Sequence, residues 1–192
     1  MRRILIIQGN PKKDSFCHAL QRVYEEGALE RGAEVHTLDL AFLQFDPILK
    51  TGYSRSQELE PDLIRSQELI RWADHLVFVY PTWWGSVPAL LKGFIDRVFL
   101  PDFAFRYRKD SVWWDRLLTG RTARLLVTMD TPPWYFRLIY GQPGHRTMKK
   151  TVLEFCGIRP VRISSFGAIR KSSEKQRLKW IERTRTLGRH FE

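Results

Sequence analysis

Cysteine is scarce in this sequence of 192 residues, which contains only Cys17 and Cys156. Two cysteines cannot build a disulfide-dense scaffold or a cysteine-rich zinc site. Long apolar runs are also missing, because no segment approaches the ~20 residues that a transmembrane helix needs. The apolar stretch after Arg2 and Arg3 is shorter than the core of a secretory signal peptide. We therefore expect a soluble, cytoplasmic protein.

Several motifs of catalysis and ligand binding are absent as well. The sequence has neither the G-x-G-x-x-G pattern of Rossmann dinucleotide sites nor the G-x-x-x-x-G-K-[ST] pattern of P-loop nucleotide hydrolases. Its five histidines show no spacing typical of metal ligands, and spacing indicates no Ser-His-Asp arrangement. No nucleic-acid-reading motif is present. We expect no metal site and no nucleic-acid partner, and we expect Asp96 and Arg97 on a helix surface.

Acidic residues are few in the last third of the chain. The whole net charge of +11 lies in residues 121–192, since basic and acidic residues balance in residues 1–120. One interpretation is a positive field that attracts phosphate groups of a ligand. The other is a solvated helix face between Arg170 and Arg189, and charge alone does not decide between them.

What is present is a regular alternation of short apolar runs with segments of helical periodicity. The pattern predicts strands at 3–8, 34–40, 75–80, 124–129 and 160–168, and helices at 15–31, 61–73, 88–99, 144–156 and 172–189, the last capped by Ser172. Such alternation predicts one α/β domain spanning residues 1–192, with a five-stranded parallel sheet between two layers of helices. We expect the flavodoxin-like strand order 2-1-3-4-5. In such sheets ligands bind beyond the carboxyl ends of the strands.

Three loops follow those carboxyl ends. The first, residues 8–15, enters a helix whose free backbone N–H groups, with Asn10 and the Ser15 hydroxyl, would bind an anion such as phosphate, and Lys12 and Lys13 would add charge. Alternatively, Asp14 or Ser15 is an ordinary helix cap. Cys17 has two interpretations, a nucleophile at the helix start or a small buried residue, and we favour the buried residue.

The other two loops are aromatic. In residues 80–88, one of the adjacent Trp83 and Trp84 can pack inward while the other offers a wall to a planar ligand, or both can plug the end of the sheet. Residues 129–144 form an unusually long connection that is too aromatic for a disordered linker. This third loop could be the far wall of a slot for flat substrates, or it could be buried against another subunit.

Together these stretches resemble the NAD(P)H:quinone oxidoreductase family of flavodoxin-like flavoproteins. The resemblance covers nearly the whole chain and is carried by residues 4–17, by residues 79–99, by Phe103-Ala104-Phe105 with Tyr107, and by Phe155-Cys156-Gly157. The most specific stretch is the second, which contains Tyr80-Pro81-Thr82-Trp83-Trp84-Gly85-Ser86-Val87-Pro88.

The resemblance implies a bound FAD or FMN that passes electrons from NAD(P)H to a quinone, in a cytoplasmic homodimer. It implies that the flavin is held by Asn10, Ser15, Phe16, Cys17, Pro81, Thr82, Trp83, Trp84, Gly85, Thr128, Met129 and Asp130. Relatives often carry a glycine pair after the threonine that Thr128 matches, whereas prolines follow here at 132 and 133. Tyr135 and Tyr140 are the candidates for a catalytic tyrosine. Two alternatives stay open, a regulatory subunit of a glutathione-gated potassium efflux transporter in the membrane and a flavodoxin-type electron carrier.

Overall fold

A computed structural model describes residues 1–55 and 57–191 of the chain. Its main sheet has five parallel strands in the order β2-β1-β3-β6-β7, which confirms the predicted order 2-1-3-4-5. These strands are β1 (Arg3–Gln8), β2 (Glu34–Asp39), β3 (His75–Pro81), β6 (Thr122–Thr128) and β7 (Val161–Phe166). A separate antiparallel pair consists of β4 (Phe105–Tyr107) and β5 (Trp114–Arg116).

Helices cover both faces of the sheet. They are α1 (Phe16–Glu30), α2 (Pro61–Trp72), α3 (Ala89–Val98), α4 (Pro133–Leu138), α5 (Pro143–Arg146) and α6 (Glu174–Arg189), with a π-helix at Thr147–Leu153 and a 3₁₀-helix at Ile169–Lys171. None of the helices in residues 1–55 and 57–191 is long and apolar enough to cross a membrane.

The core is divided into two layers by the alternation of side chains along the strands. On one face, Ile4 and Ile6 of β1 pack in a cluster with residues of α1, among them Leu20 and Tyr24, and residues of α6 pack against that cluster. On the other face, Leu5 and Ile7 belong to a cluster that includes buried residues of α2, α3 and the π-helix. Because both faces are buried, the central strands have the continuous apolar sequences from which they were predicted.

Several predicted element boundaries were wrong. The helix expected at 144–156 is the short α5 followed by the π-helix. The final helix is capped by Ser173, whose hydroxyl accepts the Gln176 N–H, while the Ser172 hydroxyl donates to the Ile169 carbonyl. The β4–β5 hairpin and α4 were not predicted, because three-residue strands and one-turn helices are too short to show a period.

The expectation that Arg97 lies on a helix surface was wrong, although Asp96 does lie on the surface of α3 and pairs with Lys92. The Arg97 side chain is fully buried and donates to the Glu60 carboxylate at 2.9 Å and to the Glu58 carbonyl at 2.8 Å. A buried arginine is tolerated when its charge is paired and its donors are bonded. Arg97 therefore ties α3 to the segment that precedes α2.

Candidate functional site

The carboxyl ends of β1, β3, β6 and β7 open into two adjoining cavities. The first cavity has a volume of about 240 Å³ and is lined by Asn10, Lys12, Ser15, Phe16, Cys17, Pro81, Thr82, Trp83, Thr128, Met129, Asp130, Ile169 and Arg170. The second cavity has a volume of about 650 Å³ and is lined by Thr82, Trp84, Gly85, Met129, Asp130, Thr131, Phe136, Ile139, Tyr140 and Pro143. Both cavities are lined by Thr82, Met129 and Asp130, so they lie side by side at the predicted edge of the sheet, and together we call them the cleft.

The first loop is held in shape by its own polar side chains. The buried Asn10 donates its backbone N–H to the Gln8 side-chain oxygen at 3.1 Å, and its side-chain oxygen accepts the Lys12 N–H at 3.1 Å. An asparagine that bonds the backbone two residues on stabilises a turn. This turn brings the chain from the end of β1 to the start of α1 along the first cavity.

The start of α1 faces that cavity with free donors. The N–H groups in the first turn of a helix have no carbonyl partner within the helix, and here Phe16 and Cys17 of that turn line the cavity. Ser15 occupies the N-cap position, but its side chain makes no capping bond and instead lies 2.9 Å from Nδ1 of His18. Together with Lys12, these groups make the first cavity suitable for an anion.

Cys17 is a buried thiol rather than a nucleophile. Its side chain is 1% exposed, and Sγ lies 3.2 Å from the Thr128 hydroxyl. Burial raises the pKa of the Cys17 thiol to about 11, so the reactive thiolate is not formed at neutral pH. The contact instead joins the start of α1 to the end of β6.

The second loop turns tightly at its two tryptophans. The backbones of Trp83 and Ser86 exchange two hydrogen bonds, of 3.0 Å and 2.9 Å, around a two-residue turn. Both central residues have positive φ, 50° at Trp84 and 74° at Gly85, as a type I′ turn requires. The expectation that one tryptophan packs inward was wrong, and neither plugs the sheet, because Trp83 is 45% exposed and Trp84 fully exposed.

The third loop contains the short helix α4 and a chain of aromatic contacts. Trp134, Tyr135, Tyr140 and Phe136 meet edge-on in sequence, with ring centroids 5.2–6.3 Å apart. The loop is joined to the second loop where the Gly144 N–H donates to the Gly85 carbonyl at 2.9 Å. A Cβ at position 144 would lie 2.7 Å from that carbonyl oxygen, so only glycine permits this approach.

His145 lies behind the wall of the second cavity. Its ring is 2% exposed and stands edge-on to Phe136 at a centroid distance of 5.1 Å. Neither ring nitrogen has a hydrogen-bond partner among the described residues. Burial lowers the pKa of His145 to about 4, so the ring is neutral at neutral pH.

The structure brings the predicted cofactor-binding residues together. All of them line the first cavity except Trp84 and Gly85, which line the second together with Tyr140. Tyr135, the other candidate tyrosine, lines neither cavity but supports Tyr140 through their ring contact. No group of three potential ligands among His, Cys, Asp and Glu could hold a metal ion in the described ranges.

Sequence reasoning missed Ile169 and Arg170, which follow β7 and line the first cavity. Arg170 makes an ion pair with Asp130 at 3.2 Å and donates its backbone N–H to the same carboxylate at 3.0 Å. The signal was available, because the loop after the fifth strand lies at the same edge of the sheet as the other three. The sequence pattern instead places Arg170 at the start of the basic helix face between Arg170 and Arg189.

Proteins of similar sequence match either most of this chain or about half of it. A protein from Haemophilus influenzae named an uncharacterized NAD(P)H oxidoreductase is 29% identical over 184 residues, which are 93% of this chain and 90% of that protein. NAD(P)H dehydrogenase [quinone] 1 of Cavia porcellus is 35% identical over 127 residues, 56% of this chain. The match covers only 46% of the guinea-pig protein, so the chain spans about half of that relative.

The fold is found in solved structures as well. The crystal structure of a protein from Streptococcus mutans UA159 superposes with a TM-score of 0.84, is 32% identical, and covers 98% of this chain and 99% of its own. The family model described as flavodoxin-like fold matches residues 2–186. Some of the relatives are named NAD(P)H dehydrogenase [quinone]. The chain belongs to the flavodoxin-like family.

Proposed function

We propose that this protein is a flavin-dependent oxidoreductase that transfers electrons from NAD(P)H to a quinone or a similar flat acceptor. The observation that carries the proposal is the pair of adjoining cavities, the first suited to an anion and the second wider and walled by aromatic side chains. A flavin nucleotide has the same two parts, a phosphate group and a flat ring system. The names of the relatives support this function.

The residues present fit a flavin at both ends. Its phosphates would be held by Asn10, Ser15, Phe16 and Cys17 at the start of α1, where backbone donors are free, with Lys12 as a nearby charge. Its ring would lie against residues 81–85 and 128–130, which line the cavities where they meet. The tight turn at Trp84 and Gly85 lines the second cavity, where the polar edge of the ring would lie. The whole chain would then be a single flavin-binding domain.

A bound flavin would supply the redox chemistry, the transfer of two electrons from NAD(P)H to an acceptor. The contribution of this chain is to bind and orient the flat reactants. Phe136 and Tyr140 on one side and Trp84 on the other form aromatic walls of the second cavity, against which a nicotinamide or a quinone ring can stack. One cavity would serve both substrates in turn, so we expect ping-pong kinetics.

Two titratable groups at the cleft, Cys17 and His145, stay neutral and add no charge to it. Cys17 stays a thiol because burial raises its pKa to about 11, and His145 stays neutral because burial lowers its pKa to about 4. Of the two candidate catalytic tyrosines, Tyr140 is the one that lines the second cavity. We assign it the role of orienting the acceptor, and Tyr135 that of supporting its ring.

A flavodoxin-type electron carrier is disfavoured by the second cavity. A carrier passes electrons through an exposed ring edge and needs no substrate slot, whereas this cleft adds a space of about 650 Å³ with aromatic walls. A cavity of several hundred Å³ with a few polar groups is typical of small-molecule sites. We therefore propose a soluble acceptor and a cytoplasmic enzyme.

Steady-state kinetics test this function. With flavin bound, initial rates at several fixed concentrations of a soluble quinone should give parallel double-reciprocal lines against NADH or NADPH, and comparing the two nucleotides identifies the preferred donor. Tyr140→Ala should raise the KM for the quinone several-fold. Leu178→Ala, at an exposed position on α6 outside both cavities, is the matched control. A flavin-loaded protein that does not oxidise either nucleotide would contradict the proposal.

A further inference from the structure

A chain of hydrogen bonds leads from the first cavity into the side of the fold. The Ser15 hydroxyl oxygen lies 2.9 Å from Nδ1 of His18, and Nε2 of His18 lies 3.1 Å from Oδ2 of Asp39. We propose that Ser15, His18 and Asp39 form a proton-coupled relay that positions the Ser15 hydroxyl for the flavin phosphate. This inference rests on the proposed function, because it assigns positioning residues to the same site.

The fold builds this relay from two elements. Ser15 and His18 are three residues apart at the start of α1, a spacing that places both side chains on one side of a helix. Asp39 is the last residue of β2 and is paired in the sheet with Gln8, from which the first loop departs. One Asp39 oxygen accepts the Ala41 N–H at 3.0 Å, which fixes the carboxylate so that the other oxygen faces His18.

The relay is largely shielded from water. The side chains of His18 and Asp39 are 15% and 20% exposed. Ser15, at the other end, lines the first cavity and makes no capping bond that would hold its hydroxyl elsewhere. That hydroxyl is therefore positioned by His18, with the Cys17 thiol as a second neighbour.

Counting protons gives two states of the relay. An ionised Asp39 can only accept, so Nε2 of His18 carries a hydrogen in both states. When His18 is neutral, Nδ1 is an acceptor, and it accepts the single Ser15 hydroxyl proton. When His18 is protonated, Nδ1 donates to the Ser15 oxygen instead, and the hydroxyl proton is free to be donated into the first cavity.

A phosphate group in the cavity distinguishes these states. Its oxygens are acceptors, so they need the Ser15 hydroxyl as a donor, and only protonated His18 leaves it available. Phosphate binding and protonation of His18 therefore favour each other, and the coupling is reciprocal. The relay therefore predicts that flavin binding takes up a proton and that flavin affinity falls as pH rises.

Several charged groups surround His18. Asp39 faces it from β2, the first loop brings Lys12, Lys13 and Asp14 before it, and Arg22 follows one turn later on α1. Aspartate, lysine and arginine side chains ordinarily keep their charge between about pH 6 and 8, whereas an imidazole does not. The phosphate of FMN itself titrates near about pH 6 in the opposite sense, so variants must be compared at each pH.

The test is the dissociation constant of FMN and of FAD, measured by flavin fluorescence quenching from pH 5.5 to 8.5. The proteins are the wild type, His18→Gln and Ser15→Ala, with Arg22→Gln as a control that removes a neighbouring charge outside the relay. The wild type should bind more tightly than His18→Gln at pH 6, and this advantage should shrink by about five-fold or more at pH 8. Ser15→Ala should lose the same pH dependence, whereas Arg22→Gln should keep it. Asp39→Asn should weaken binding most at the acidic end.

Two results would overturn the relay, and they have different consequences for the proposed function. If His18→Gln binds flavin with the same pH dependence as the wild type, the relay is wrong and the proposed function stands. If the wild type binds no flavin at any pH, the proposed function fails and the relay fails with it. Thermal unfolding of each variant establishes that the compared proteins are folded.

Discussion

At the scale of single residues, the hydroxyl of Ser15 has a role that its position at a helix start does not indicate. It occupies the N-cap position of α1 but bonds to His18 instead of the helix backbone. Ser173 occupies the same position on α6 and does cap its helix, because its hydroxyl accepts the Gln176 N–H at 3.2 Å. Variants of the two serines can therefore test ligand binding separately from helix capping.

We predict that Ser15→Ala weakens flavin binding by about 1–3 kcal/mol, the range for hydrogen bonds to charged groups, with little change in the free energy of unfolding. Ser173→Ala should lower the free energy of unfolding by about 1 kcal/mol and leave flavin affinity unchanged. Flavin titration and urea unfolding of both variants check this pair. A Ser15→Ala protein that loses stability but binds flavin normally would show that Ser15 is an ordinary cap.

Two buried histidines make stability depend on pH. Burial lowers the pKa of His75 from 6.5 to about 3, with help from the nearby charges of Arg2, Arg124 and Arg162, and lowers that of His145 to about 4. The unfolded chain therefore binds more protons than the folded protein below about pH 6.5. The stability of the neutral, buried forms is present above that pH and is lost as pH falls towards the folded pKa values.

The free energy of unfolding should accordingly fall between pH 7 and pH 5, by up to about 1.4 kcal/mol per pH unit for each histidine. Urea unfolding at three pH values measures this slope. His145→Leu should reduce it, because the leucine removes a buried titrating ring whose nitrogens have no partner among the described residues. Leu178→Ala, at an exposed position and without loss of a titratable group, is the control and should leave the slope unchanged. An unchanged slope in His145→Leu would contradict the assignment.

At the scale of structural elements, the turn of the second loop is strained. Trp84 adopts a φ of 50°, a region that bulky side chains rarely occupy, and its side chain is fully exposed. Strain of this kind costs on the order of 1–3 kcal/mol and is often kept at functional sites. We infer that the tryptophan is retained for its contact in the second cavity.

Trp84→Asn should therefore raise the free energy of unfolding by about 1 kcal/mol, because asparagine tolerates this backbone conformation. The same change should raise the KM for the quinone, since an aromatic wall is lost. Trp113→Asn is the control, because Trp113 is exposed but lacks a positive φ. Urea unfolding measures the free energy of unfolding, and steady-state kinetics measure the KM for the quinone. A Trp84→Asn variant that changes neither quantity would show that Trp84 is not strained and does not contact the substrate.

How far the elements could be predicted depended on their length and on what their side chains contact. The five parallel strands and the helices α1, α2, α3 and α6 were predicted from the sequence, because their apolar runs and helical periods extend over many residues. The β4–β5 hairpin and α4 gave no such signal. The N-cap of α6 is Ser173, whereas the sequence pattern indicated the adjacent Ser172. The site loops were found from the strand order, but the pairing of His18 with Asp39 joins residues 21 positions apart and has no local pattern.

At the scale of the whole molecule, the basic residues of the C-terminal part lie in two different places. On α6, Arg185 and Arg189 pair with Glu26 and Glu30 of α1, as expected of a solvated, ion-paired helix face. Such surface pairs contribute little stability each. Arg170 lies elsewhere, on the rim of the first cavity, where its charge can attract a phosphate.

We predict a homodimer that covers the exposed apolar side chains of the third loop, Trp134, Leu138, Ile139 and Tyr140. A large exposed apolar patch typically marks an interface or a binding site, and symmetric pairing is the commonest way to cover one. Sedimentation velocity at low micromolar concentration should show a dimer, which Leu138→Asp weakens and Leu178→Asp does not. A monomer with full quinone reductase activity is incompatible with this prediction.

The measurement that tests the central claim most directly is a titration of the purified protein with FMN and FAD, followed by absorbance and by quenching of flavin fluorescence. We predict saturable binding of one flavin per chain at tens of micromolar or below, or a protein that is already yellow and whose released flavin is identified by chromatography. Subsequent addition of NAD(P)H should bleach the bound flavin, and a soluble quinone should restore its colour. No flavin uptake at tens of micromolar would contradict the account.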